Sequence, residues 1–266
     1  MKLGMTAPEF WLAEDQWQLD IMTLHHFGLS ALECSPHDHL IDTRKWTTIC
    51  RILRDLNMDL TAHAPDFYDP DGFGLTGFRS KGDIRKNYLG YFDRLVQFQG
   101  KAPIPLTIHG PSHRGQEALD DIKAFCDFAL ERIDREGWPL AIALETLATP
   151  NLGSKIEDLM HVIETFQDNR LGVCWDITHT RSWSEEQYGQ EKFLNAVQTA
   201  HIHGFDGKED HRPLKDFPVS MDRPLDLLGQ KGYQGVLTIE LLKVKKEDFS
   251  YLMQNDLELL LPFIQK

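Results

Sequence analysis

The chain alternates eight short apolar runs with longer amphipathic segments, and this alternation limits its possible folds more than any other sequence feature. The apolar runs cover residues 2–5, 31–34, 59–63, 104–109, 140–145, 171–176, 199–203 and 236–240. They are rich in Val, Ile, Leu and Thr, as expected for parallel strands that are covered on both faces. Segments 42–56, 116–135, 154–166 and 248–264 repeat apolar residues at helical spacing. The sequence therefore predicts an α/β fold built from strand–helix units.

Eight such units over 266 residues predict a single (β/α)8 TIM barrel spanning residues 1–266, because this fold typically needs about 250 residues. A doubly wound open sheet is the alternative, since periodicity alone does not show whether a sheet closes. No glycine-rich fingerprint follows an apolar run, which disfavours a dinucleotide-binding or P-loop site. Local signals predict two helix boundaries: Ser154 and Glu157 form a capping box, and Gly137 marks a C-terminal end.

The charge balance and the cysteines narrow the possible functions. Asp and Glu number 41 against 28 Lys and Arg, so the formal net charge is −13, which disfavours a protein that coats a phosphate backbone. No run approaches the ~20 apolar residues of a membrane span, and the N-terminus lacks the apolar stretch of a signal peptide. The four cysteines form no C-x-x-C pair, so we expect reduced thiols. We therefore expect a cytoplasmic protein without a membrane partner.

Residues that commonly bind metals stand at the ends of six successive apolar runs. They are His63, His109, Glu145, Asp176, His203 and Glu240. The carboxyl ends of barrel strands meet at one mouth, so we expect these side chains to converge. Buried carboxylates must be paired or bound to a cation, and His179 follows Asp176 by about one helical turn. The pattern predicts a site for a divalent metal ion.

Two motifs carry a resemblance to a known family. They are Gly-Val-Cys-Trp-Asp-Ile-Thr-His at 172–179 and His-Ile-His-Gly-Phe-Asp at 201–206, supported by Leu-Glu-Thr at 144–146 and Leu-Thr-Ile-Glu-Leu at 237–241. On these motifs the chain resembles the xylose isomerase-like TIM-barrel superfamily, which includes sugar isomerases, sugar epimerases and type-IV apurinic-site endonucleases. The chain departs from the family pattern at 214–220, where a Gly-x-Gly is common, and at Trp175, where smaller residues are usual.

The resemblance implies a metal ion held by Glu145, Asp176, His203 and Glu240. Mn, Zn, Co and Mg all suit this mixture of carboxylate and imidazole ligands. His201 lies on the same side of its strand as His203, and it stays open as a ligand although strand packing is the preferred interpretation.

The preferred function is a metal-dependent isomerase or epimerase that acts on a sugar, a sugar acid or a sugar phosphate. The resemblance implies that Glu145 and Glu240 bind the metal and also remove and return a proton on carbon, through an enediolate. Four loop aromatics are candidates to pack against a sugar, with simple loop anchoring as the alternative: Trp11, Phe67, Tyr68 and Trp183. We expect a small carbohydrate as the partner, and a homo-oligomer stays open.

The alternative function is phosphodiester cleavage at abasic sites in DNA, and only this alternative calls for nucleic acid as a partner. The endonuclease relatives carry additional ligands, and the positions here that match or approximate them are His63, His109, His179, Glu209 and His211. These residues are candidates for a second metal ion or for contacts with the substrate, and the resemblance implies that His179 would contact the substrate in an epimerase. Two or three metal ions would then hold a phosphate and activate water, and Arg212 could contact a DNA phosphate or a sugar phosphate. The absence of a basic stripe counts against this alternative. A barrel that only binds ligands is disfavoured, because it has no use for both Glu145 and Glu240 in one pocket.

Overall fold

Eight parallel strands close into a barrel in chain order in the computed structural model, which describes residues 1–7, 17–35, 43–65, 74–98, 100, 102–242 and 245–264. The strands are β1 (Lys2–Thr6), β2 (Ala31–Cys34), β3 (Asp59–His63), β4 (Ile104–Ile108), β5 (Leu140–Glu145), β6 (Leu171–Asp176), β7 (Val197–Ile202) and β8 (Val236–Ile239). Gly4 of β1 pairs with Ala31 of β2 on one side and with Thr238 of β8 on the other, which closes the sheet. The (β/α)8 prediction is thus confirmed, and the open-sheet alternative is wrong.

Helices follow the strands and pack their apolar faces against the barrel. They are α1 (Trp17–His26), α2 (Thr43–Asp55), α3 (Gly82–Leu95), α4 (Gln116–Glu136), α5 (Ile156–Phe166), α6 (Glu185–Tyr188), α7 (Glu191–Ala196), α8 (Asp222–Gln230) and α9 (Phe249–Ile264), with a 3-10 turn at Lys246–Asp248 before α9. In α4, for example, Ile122, Phe125 and Ala129 recur at helical spacing and are buried. None of the helices in the described ranges combines the length and hydrophobicity that a membrane crossing requires.

The two predicted helix boundaries have different outcomes. Gly137 ends α4 with φ of 64°, a left-handed conformation that glycine adopts at low cost, as predicted. The capping box at Ser154 is wrong, because α5 begins at Ile156 after Lys155, and no side chain caps its N-terminus. A capping box is instead formed by Ser184 at the start of α6.

The barrel interior is partly polar. Four threonines in the barrel strands are fully buried: Thr61, Thr107, Thr199 and Thr238. Glu33 on β2 is buried among apolar neighbours in its own strand. A buried carboxylate is costly unless it is hydrogen-bonded or paired, so the interior near the mouth contains groups whose presence the hydrophobic core does not explain.

Candidate metal centre

All six ligand-type residues that the sequence places at strand ends lie at the carboxyl mouth of the barrel. β3, β5 and β6 end on His63, Glu145 and Asp176. The other three directly follow β4, β7 and β8: His109, His203 and Glu240. Parallel strands in a closed barrel present their last residues to one space, so residues far apart in sequence become neighbours.

The first group of possible ligands comprises His63, His109 and Glu145. Nε2 of His63 lies 3.2 Å and Nε2 of His109 lies 2.9 Å from the same carboxylate oxygen, Oε2 of Glu145. The two rings are 4.6 Å apart between centroids and nearly perpendicular, at 79°. Nδ1 of His63 lies 2.9 Å from the carbonyl oxygen of Ala64, a contact that fixes the ring's orientation.

The central group comprises Glu145, Asp176, His201 and Glu240, all of which are buried. Nδ1 of His201 lies 3.6 Å from Oε1 of Glu145 and 3.6 Å from Oε2 of Glu240. One ligand atom from each residue can be chosen so that all four lie within 4.8 Å of one another. Glu145 therefore belongs to the first and the central group at once.

Two buried atoms of the central group have no hydrogen bond, Oε1 of Glu145 and Nδ1 of His201. Oε2 of Glu240 has no hydrogen bond of good geometry either, and its ion-pair contact is with Nε2 of His211, at 3.2 Å. Unsatisfied buried polar atoms are rare and costly. Their convergence on one space, with Asp176 beside them, fits a cation that would satisfy them together. Imidazole and carboxylate ligands suit Mn, Zn, Co or Mg, so the residues present fit the divalent metal that the sequence predicts.

The third group comprises His179, His203 and His211. The rings of His203 and His211 are stacked at 4.3 Å. Asp176 joins this group to the central group, because its Oδ2 lies 3.3 Å from Nδ1 of His179 and 3.2 Å from Nε2 of His203. Oδ2 of Asp210 lies 3.8 Å from Nε2 of His179, so a carboxylate stands beside the third group as well.

His201 groups with Glu145, Asp176 and Glu240, whereas the predicted ligand His203 contacts Asp176 at 3.2 Å and groups with His179 and His211. Both nitrogens of His203 have protein partners: Nδ1 accepts from the backbone N–H of His211 at 3.0 Å, and Nε2 contacts Asp176. Nδ1 of His201 has no hydrogen bond. The two residues share a side of β7, so alternation alone does not distinguish them.

The predicted role of Glu209 beside the third group does not match its position. Its carboxylate pairs with Arg212 at 2.7 Å, and the neighbouring Asp210 approaches the imidazoles instead. Arg212 is also tied to Asp206 at 3.1 Å. Trp183 packs edge-on against Phe193, 6.1 Å between centroids. Trp11, Phe67 and Tyr68 lie outside the described residues.

From the sequence, Glu33 was not identified as part of the site, and His201 was not a preferred metal ligand. Nε2 of His201 donates to Oε2 of Glu33 at 2.9 Å. A charged residue inside a run as apolar as 31–34 is the signal that could have identified Glu33.

The protonation states of the site follow from its mixture of acids and imidazoles. Although burial raises the pKa of Glu145, contact with His109, His201 and His63 lowers it well below its usual value. The pKa of Glu240 is also well below its usual value, because His211 and His201 outweigh the effect of burial. Burial opposes a charge on His211, but Glu240 and Asp210 raise its pKa to about 10. Without a cation His211 thus carries a proton at neutral pH that a metal must displace, so metal binding that involves His211 is expected to be stronger at higher pH.

The closed parallel barrel makes this chain a TIM-barrel protein, and the carboxylates and imidazoles at its mouth form a candidate metal centre. More particularly, the family model described as xylose isomerase-like TIM barrel matches residues 21–259, and the chain belongs to this family. The predicted resemblance is confirmed. No curated protein sequence matches the chain.

Three similar solved structures share the fold over nearly their whole length. A D-tagatose 3-epimerase-like protein has a TM-score of 0.76 at 17% identity, covering 100% of this chain and 97% of that one. D-psicose 3-epimerase from Clostridium cellulolyticum H10, with D-tagatose, has a TM-score of 0.67 at 13% identity, covering 97% and 98%. A 3-keto-D-glucoside 4-epimerase from E. coli has a TM-score of 0.68 at 14% identity, covering 98% and 99%. At these identities the similarity shows the fold.

Proposed function

We propose that the chain is a metal-dependent isomerase or epimerase that acts on a small sugar, sugar acid or sugar phosphate. The observation that carries this proposal is the convergence of two buried carboxylates, Glu145 and Glu240, on the imidazole of His201, with 3.6 Å from its Nδ1 to an oxygen of each. Two such carboxylates are the groups that proton transfer on carbon requires. The similar structures with epimerase names support the same class of reaction.

Glu145, Asp176, His201 and Glu240 would hold the cation. A bound divalent ion would supply polarisation of a substrate carbonyl and an adjacent hydroxyl. Oε1 of Glu145 and Oε2 of Glu240 face this space, and the proposal assigns to one the removal and to the other the return of a proton on the neighbouring substrate carbon. Their lowered pKa values keep both carboxylates ionised near neutral pH, as a group that removes a proton must be.

The test is incorporation of deuterium from D2O into a panel of ketoses, aldoses and their phosphates, in the presence of Mn²⁺, Co²⁺, Zn²⁺ or Mg²⁺. We expect carbon-bound deuterium with the parent protein and none with Glu240→Gln. Glu164→Gln is a matched control, because Glu164 forms an exposed ion pair with Lys192 at 3.1 Å. If every sugar stays free of deuterium under all four metals, the proposal is wrong.

A second candidate function is phosphoester hydrolysis, and it is favoured by one specific observation. The first and third groups place five further imidazoles around the central group: His63, His109, His179, His203 and His211. An isomerase with one cation needs at most a few of these side chains as metal ligands or substrate contacts, whereas clusters of two or three metal ions are typical of phosphoester hydrolysis. The net charge of −13 favours a small phosphoester over DNA as the substrate of such a site.

The two functions are distinguished by metal content and by the effect of removing ligands outside the central group. Phosphoester hydrolysis predicts two or three ions per chain, cleavage of bis(p-nitrophenyl) phosphate or an abasic oligonucleotide, and loss of one ion in His109→Ala or His211→Ala. The isomerase predicts one ion per chain, and His109→Ala then leaves the metal content unchanged.

A further inference from the structure

Glu33 is the most deeply buried acid beside the candidate centre that has no assigned role. It is the third residue of β2 and is fully buried. Its Oε1 accepts from the hydroxyl of Thr6 at 2.9 Å, and its Oε2 accepts from Thr61 at 3.3 Å and from Nε2 of His201 at 2.9 Å. Neither Lys nor Arg within the described ranges forms an ion pair with it. Among the described hydrogen-bond partners of Glu33, His201 is therefore the one that can carry a charge.

These contacts constrain the imidazole of His201. Because Nε2 donates to Glu33, a neutral ring carries its proton there and offers the lone pair of Nδ1 to the opposite side. On that side stand Oε1 of Glu145 and Oε2 of Glu240, each 3.6 Å away. The ring is also stacked on His63, at 5.8 Å between centroids and 25° between planes. Its orientation is thus fixed from two directions.

A lone pair on Nδ1 that faces two carboxylates is unfavourable, and either a proton on Nδ1 or a cation that takes its place relieves the repulsion. A carboxylate that accepts the other N–H of a metal-binding imidazole fixes the tautomer and strengthens the ligand. The two hydroxyls that hold both oxygens of Glu33 leave it little freedom to turn away from His201. A role limited to barrel packing does not explain an acid at this position, because an apolar side chain would fill the space without a desolvation cost.

We propose that Glu33 is a positioning residue that holds His201 in the tautomer and orientation in which Nδ1 binds the cation of the central group. This inference rests on the proposed function, since it requires that the group formed by Glu145, Asp176, His201 and Glu240 binds a metal ion. Glu33 itself does not touch the cation or the substrate.

The experiment compares the metal affinity of the parent with that of Glu33→Gln, by competition between the protein and a chromophoric chelator for Zn²⁺ and Mn²⁺. Glutamine keeps the size of the side chain and removes its charge, and we expect the affinity to fall about 10- to 100-fold. Thr199→Val is the matched control: its hydroxyl donates to the carbonyl oxygen of Val236 and does not touch Glu33. We expect the control to lower stability while its metal affinity stays within about twofold of the parent.

A second measurement needs no variant and covers the case in which Glu33→Gln does not fold. In ¹⁵N-histidine-labelled parent protein loaded with Zn²⁺, long-range ¹H–¹⁵N spectra report which nitrogen of His201 carries the proton. We expect the proton on Nε2 and the metal on Nδ1. A proton on Nδ1, or a Glu33→Gln protein that folds and binds both metals as tightly as the parent, overturns the inference. Failure of the parent to bind any of the metals instead overturns the proposed function, and this inference with it.

Discussion

Replacing Gly153 by alanine tests whether the loop after β5 sets the position of Glu145. Gly153 has φ of +111°, and a Cβ built on it would lie 2.5 Å from the carbonyl oxygen of Glu145. Contacts of this kind below 3.0 Å essentially do not occur, so the two backbones must separate by at least 0.5 Å, from 2.5 to 3.0. The carbonyl belongs to the residue that the first and central groups share, so Gly153→Ala displaces a ligand of both.

The expected effect has two parts. An L-residue at this φ costs about 1–3 kcal/mol of stability, or roughly 2–6 °C in Tm for a domain of this size. A displacement of 0.5 Å also exceeds the ~0.2 Å tolerance of metal–ligand distances, so we expect metal affinity to fall by about tenfold or more, since each 1.4 kcal/mol of lost binding free energy is tenfold.

Gly115 provides the control, because its φ of +115° is nearly the same and a Cβ there meets nothing within 4 Å among the described residues. Gly115→Ala should lose stability through backbone strain alone and bind Zn²⁺ and Mn²⁺ like the parent. Urea denaturation of the apoprotein and chelator competition give the two quantities separately. If Gly153→Ala matches Gly115→Ala in both measurements, the loop does not control the position of Glu145.

Three further outcomes are expected. At a free metal concentration of about 1,000 Kd, binding should stabilise the parent by ~4 kcal/mol, so adding EDTA should lower its Tm by about 7 °C. EDTA should change the Tm of Glu240→Gln very little. Equal Tm shifts in the two proteins would contradict metal binding at the central group. Asp256 has its pKa raised by burial from 3.8 to about 6, so its contribution to stability is present below pH 3.8 and is lost as pH rises through 6. Asparagine does not titrate, and Asp256→Asn should therefore gain about 3 kcal/mol relative to the parent between pH 4 and 7, as measured by urea denaturation; a constant difference would refute the assignment. Trp175 is fully buried and its indole N–H donates to the hydroxyl of Thr180 at 2.9 Å. Trp175→Ala should therefore lower the free energy of unfolding by about 3–5 kcal/mol, as measured by urea denaturation. A loss below ~1 kcal/mol would show that the barrel tolerates a cavity at this position.

The barrel and the convergence of the site could be predicted because both depend on periodicity. The predicted runs 31–34, 59–63, 140–145 and 171–176 coincide with β2, β3, β5 and β6. In a closed parallel barrel the carboxyl ends of all strands lie at one mouth. Knowledge of where the strands end was therefore enough to bring His63, Glu145 and Asp176 together.

Which residues belong to each group could not be predicted from the sequence, because this depends on how deep each side chain lies in the barrel and on the conformation of the loops. His201 and His203 satisfy the same alternation, and only the end of β7 at Ile202 places His201 deeper in the barrel. In the next loop, His211 has φ of +58°, a left-handed conformation that a non-glycine residue rarely adopts. The loop's path, which no periodicity encodes, turns Asp210 rather than Glu209 toward the imidazoles.

The carboxylate of Glu145 has one oxygen toward His63 and His109 and the other toward His201. If both groups bind a cation, as the phosphoester-hydrolysis alternative requires, each cation draws electron density from the shared carboxylate, so loading of the two positions is thermodynamically coupled. Titration of the apoprotein with metal would then deviate from a simple hyperbola, and a single substitution at Glu145 would abolish that deviation together with the binding itself.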